Sequence, residues 1–108
     1  MNPVKVSREG VRRLTDLPNI GKAMARDLCL IGITQPAQLA GRSAMEMYRD
    51  LCRITQSVQD PCVIDVFMSV TSFMSGGEPR AWWSFTEERK RLVGQERLQP
   101  SSTKGGVA

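Results

Sequence analysis

Apolar positions along the chain recur at helical spacing, and no stretch alternates as a strand would. The first pattern places Val11 and Leu14 on one face of a helix over Arg8 to about Thr15, with Ser7 as its N-cap. Pro18 removes Leu17 from the helical region, so that helix must end by Asp16. Asn19 and Gly21 are residue types that tolerate positive φ, and they mark a tight turn. A second helix follows from about Lys22 to Ile31, burying Met24, Ala25, Leu28 and either Cys29 or Ile31. Gly32 is placed to stop it, with Ile33 packing back.

Thr34 and Pro36 open a short third helix over Gln35 to Leu39, ended by Ala40-Gly41. Ser43 and Glu46 form a capping box for a fourth helix running to about Thr55. Its inner face is expected to be Met45, Tyr48, Leu51, Cys52 and Thr55, with Glu46, Arg49, Asp50 and Arg53 outside. Asp60-Pro61 pairs a capping residue with proline at the first helical position of a fifth helix, which runs to about Met74. That helix is apolar on most sides, as a central buried helix should be. Its one charge, Asp65, either meets a basic residue across the fold or faces solvent. After Ser75-Gly76-Gly77 the chain crosses to Trp82-Trp83, and Thr86 or Ser84 caps a last short helix through Leu92. The expectation is an all-α, compact domain of five to six helices over 6–92, with flexible tails at 1–5 and 93–108.

Charge sharpens the picture. The net charge is +4, and it is uneven. Residues 1–30 hold six Lys/Arg against three acids, 31–75 hold three against four, and 76–108 hold six against four. The excess around the turn and at the C-terminal end permits an acidic partner such as nucleic acid. The chain has no histidine, which removes the commonest general base and the commonest metal ligand. Cys29, Cys52 and Cys62 lack metal-site spacing and lie in apolar helical patterns, so they read as buried thiols. Neither a catalytic residue set nor a metal or cofactor site is expected. No leader pattern or long apolar run appears, so the expectation is a soluble cytoplasmic protein with no membrane partner.

The turn carries the strongest candidate chemistry. The second helix begins at about Lys22 with its first N–H groups unpaired, which favours an anion such as phosphate. Lys22 sits where the helix dipole disfavours a cation by a few tenths up to about 1 kcal/mol, and Arg26 follows on the same side. A local rule broken there hints at function. Arg12 and Arg13, in the last turn of the first helix, are possible auxiliary contacts that the dipole explains equally well. Trp82-Trp83, beside Arg80, has base stacking as one reading; the favoured one is core packing, with one indole over the central helix and the other partly exposed.

Leu17-Pro18-Asn19-Ile20-Gly21 followed by Ala25 resembles a helix-hairpin-helix motif, with Asn19 where a glycine is usual. Together with Asp27-Leu28, Ile31-Gly32-Ile33, Tyr48, Asp60-Pro61-Cys62, Val66-Phe67 and the Pro79-Arg80 to Trp82-Trp83 block, it looks like a small bacterial family labelled "pathogenicity locus" or "mitomycin resistance". The resemblance implies an N-terminal helix-hairpin-helix in an all-α domain similar to the C-terminal domain of the competence regulator TfoX. It also implies that the amides of Ile20, Gly21 and Lys22, with the Lys22 side chain nearby, contact a DNA phosphate without base reading; Asn19 in the turn and Arg26 one helical turn on complete the candidate phosphate site. A single hairpin neutralises few phosphates, so binding would be weak, or shared with a partner or second copy. The alternative is a protein-interaction or self-association module using the same fold.

Overall fold

A computed structural model describes the backbone of residues 8–98 and the side chains of residues 9–94. Among the described residues the fold is all-helical, with no strand. Four α-helices form it: α1, Lys22–Leu30; α2, Ala44–Thr55; α3, Cys62–Met74; and α4, Thr86–Leu98. Short 3₁₀ turns at Arg8–Gly10, Leu14–Asp16, Pro36–Leu39 and Trp82–Phe85 join them. No helix among the described residues is long and apolar enough to cross a membrane.

The expected first helix is broken into two 3₁₀ turns. The reason is Asp16, whose carboxylate accepts from the backbone N–H of Arg12 (3.0 Å) and of Arg13 (2.9 Å). A side chain that takes backbone donors in this way competes with the helical ladder. Ser7, its expected cap, lies outside the described residues. The third helix is likewise only a 3₁₀ turn. Gln38, rather than Thr34, satisfies its start, accepting from the N–H groups of Thr34 (2.7 Å) and Gln35 (2.8 Å).

Three helices end in the same device. The chain leaves α1 through Gly32 at φ +88, with Ile33 N–H bonded to Leu28 C=O and Gly32 N–H to Cys29 C=O. Ile33 and Leu28 are both buried there, closing the Schellman contact. Gly76 repeats this after α3, while α2 places Gln56 in the left-handed region at φ 53.

The core gathers on α3, which packs against α2, α4 and the turns at Pro36–Leu39 and Trp82–Phe85. Ile64, Phe67, Val70 and Phe73 are fully buried on it. It starts one residue later than expected, with Pro61 rather than Asp60 at the N-cap position, and the Asp60 carboxylate accepts from Cys62 N–H at 2.8 Å. Those bonds hold the Asp60 carboxyl below its ordinary range. On α2 the buried stripe is Ala44, Met47 and Leu51; of the expected face only Leu51 is buried, while Met45, Tyr48, Cys52 and Thr55 are half-buried. Helical spacing fits either stripe, and α3 selects the one that meets it. Asp65 proves to be fully buried and paired: Arg89 Nε donates to it at 2.8 Å and the Thr86 hydroxyl at 2.7 Å. Thr86 is therefore spent on Asp65 and caps nothing. Ser84 instead donates to Ala81 C=O, and the Trp82–Phe85 turn runs straight into α4, which continues past Leu92 to Leu98.

Candidate functional site

The turn before α1 is built from the core outward. Leu17 and Ile20 are buried to within 1% and anchor both its ends. The Leu17 C=O accepts from Ile20 N–H at 3.4 Å, so the Ile20 amide points back into the turn. Asn19 takes the left-handed conformation, φ 69, as its type permits. Its side chain does more than tolerate the bend. The amide donates to Ser69 Oγ on α3 (3.1 Å) and to Arg80 C=O (2.9 Å). Of the expected phosphate-contacting residues, Asn19 and Ile20 therefore hold the turn in place, and their side chains face inward.

Gly21, Lys22 and Arg26 face outward and are exposed. Gly21 does not use positive φ; it sits at φ −97, ψ −170, in extended backbone that any residue adopts. It is the N-cap of α1 and supplies no side-chain cap. A Cβ built on it would meet nothing within 4 Å. The first intrahelical bond is Ala25 N–H to Gly21 C=O at 3.0 Å, which leaves the N–H groups of Lys22, Ala23 and Met24 ahead of the ladder. Lys22 and Arg26, four apart, share a face and join no ion pair among the described residues.

Arg12 and Arg13 are exposed near this turn but do not end a helix, so no helix dipole favours them. Asp16 lies 3.8 Å from the Arg13 guanidinium, and its carboxyl is held below the ordinary range chiefly by the Arg13 and Arg12 backbone N–H groups. Its negative charge offsets part of theirs.

The other candidates sort differently from expectation. Phe85, rather than an indole, is the buried aromatic of the crossover. Trp82 is half-buried, and Trp83 is 63% exposed. Their rings meet edge to face at 5.6 Å. Arg80 is committed internally: its guanidinium lies 4.0 Å over the Phe85 ring and donates to Ser84 Oγ and Ser84 C=O. Cys29 is exposed, and Cys52 and Cys62 are only half-buried. The Cys62 thiol is pushed up by its hydrogen bond to the Asp60 carboxylate. No group of three potential metal ligands occurs among the described residues. A groove of about 540 Å³ between α2, α3 and α4 is rimmed by Arg49 and Arg80 but also Glu46 and Glu88, which gives it no bias toward an anion.

The residues thus define a small all-helical domain with an exposed, glycine-capped, cation-flanked helix start. By sequence the chain belongs to the family described as Cdd1, pathogenicity locus, whose model matches residues 7–91. It is also 41% identical over 83 residues to the mitomycin resistance protein McrB of Streptomyces lavendulae, covering 77% of this chain and 79% of that protein. No solved structure matches.

Proposed function

We propose that this protein grips the phosphate backbone of DNA at the start of α1, without reading sequence and without catalysing a reaction. Leu17–Ala25 is then a helix-hairpin-helix connector whose first helix has shrunk to a 3₁₀ turn. The observation that carries this reading is Gly21. A position that needs no positive φ and has open space for a side chain nonetheless carries none. The bare backbone admits a phosphate oxygen to the leading N–H groups of α1. Lys22 and Arg26 beside it supply charge that no acid of the described residues neutralises through an ion pair. The site reads phosphate, which positions a protein but carries no base information. The Streptomyces lavendulae relative's name describes resistance to mitomycin and leaves the chemistry of the contact to be read from these residues.

Fluorescence anisotropy with a labelled short duplex at low salt tests the reading. Binding in the range of about 1–100 μM is expected for so few phosphate contacts. Lys22→Glu should weaken it by about tenfold, since it removes one cation and adds an anion beside the phosphate. Absence of binding at the upper end of that range would sink the proposal; unchanged binding by Lys22→Glu would move the site elsewhere. A docking role for the same fold draws on exposed Ile54 and Val58 at the end of α2. Mass in solution tests that second reading, and a strictly monomeric species opposes self-association.

A further inference from the structure

We infer that the preferred ligand of this grip is DNA with unpaired bases, and that Trp83 is the platform on which one such base stacks. The inference rests on the backbone grip proposed above and adds the class of DNA. Three observations carry it. First, Asn19 ties the turn to the crossover by its 2.9 Å bond to Arg80 C=O, and to α3 through Ser69. The helix start and the Trp83 segment are thereby parts of one body. Gly21 lies two residues from Asn19, at most about 7 Å of chain, and Trp83 three residues from Arg80, at most about 11 Å. Those spans fall within a single-strand footprint of about 4–16 nucleotides.

Second, Trp83 is 63% exposed, although an indole is among the costliest side chains to leave in water. Its edge-to-face contact with half-buried Trp82, at 84°, leaves at least one face of the Trp83 ring open. Third, the charge at the start of α1 suits a nucleic acid. Lys22 and Arg26 are exposed without ion pairs among the described residues, while Arg80 is held against Phe85 and Ser84. An exposed aromatic face on the same body as these cations and bare amides matches a base attached to a phosphate. In an intact duplex the bases are stacked on one another and offer no free face, so Trp83 would gain nothing from it.

The test compares an oligothymidylate of about twelve nucleotides with a blunt duplex of the same length, at equal salt. The single strand should bind about tenfold more tightly and quench tryptophan emission, as one base stack would account for. Trp83→Leu should abolish the preference and the quenching while leaving duplex affinity unchanged. Trp83→Phe should keep most of the preference, because a stacking face remains. If the duplex binds and the single strand binds no better, the stacking inference fails while the backbone grip stands. If neither binds, the grip fails and this inference with it. If Trp83→Leu lowers both affinities alike, Trp83 is structural, and the inference is overturned. It is equally overturned if the wild type is a dimer that Trp83→Leu leaves bound to single strand as before.

Discussion

Asn19 shows how one residue can serve backbone and packing together. Glycine is usual at its position in the motif the segment resembles, because φ is positive there. Asparagine visits the same region at some strain, and in return its amide makes two hydrogen bonds that glycine cannot. Each is worth about 1 kcal/mol net, against a left-handed penalty of roughly 1–2 kcal/mol for a residue with a Cβ. The Asn19→Gly variant therefore loses the bonds but also sheds the strain, and should be less stable by about 1 kcal/mol or less. Asn19→Ala keeps the strain and loses the bonds, at a cost of about 2 kcal/mol. Urea unfolding should rank them Asn19, then glycine, then alanine. An alanine variant as stable as wild type would show that the two bonds contribute nothing. The tolerance of Asn19 for a turn was legible in the sequence. Its partners were not, because Ser69 and Arg80 lie 50 and 61 residues away along the chain.

At the scale of elements, the helices that held their expected places have a local signal at one end or both. Ser43 accepts from Glu46 N–H, Asp60 from Cys62 N–H, and glycines follow α1 and α3. The elements that moved were decided by contacts the chain order hides. Asp16 captured two amides and broke the first helix; α3 chose which stripe of α2 to bury. The candidate site divided in the same way: the shared face of Lys22 and Arg26 was legible from their spacing, while the inward turn of Asn19 and Ile20 was not. Asp65 with Arg89 belongs to this scale too, since the pair bolts α4 onto α3. Arg89→Met leaves a carboxylate buried with only the Thr86 hydroxyl, and should cost about 3 kcal/mol or more. Adding Asp65→Leu to it should recover much of that loss, because no buried charge is then left unpaired. Thermal or urea unfolding of the two singles and the double reads the coupling; simple additivity would refute it. Asp60 adds a pH signature. Its carboxyl is lower in the folded protein than in the unfolded chain, so its contribution is fully present above the unfolded value near 4. It is lost as pH falls through the depressed folded value. Asp60→Asn should flatten the acid limb of the stability profile below about pH 4, and an unchanged limb would contradict the assignment.

For the whole molecule, the proposed grip turns on how few phosphates it can reach. The net charge is +4, and several cations are spent internally or beside acids: Arg89 on Asp65, Arg53 and Arg42 near Asp50, Arg13 near Asp16. Around the start of α1, Lys22 and Arg26 remain without such partners among the described residues. Counterion release scales with phosphates neutralised, by about 0.9 per phosphate on duplex and about 0.7 on single strands. Two to three contacts therefore give a slope of log affinity against log salt of roughly −2 to −3 on duplex, and about −1.5 to −2 on single strand. Lys22→Glu should make the duplex slope shallower by about 1, whereas Trp83→Leu should leave both slopes alone, because stacking releases no counterion. The two contributions separate on one plot: the grip sets the slope, and the base platform sets the offset between single strand and duplex. A slope of about −4 would mean that more cations engage than one helix start can present, which requires either Arg12 and Arg13 at the phosphates or a second copy on the same strand. Repeating the titration over a range of protein concentrations, with mass measured alongside, distinguishes these: extra contacts within one chain leave the binding curve simple, and a second copy makes it steepen with protein.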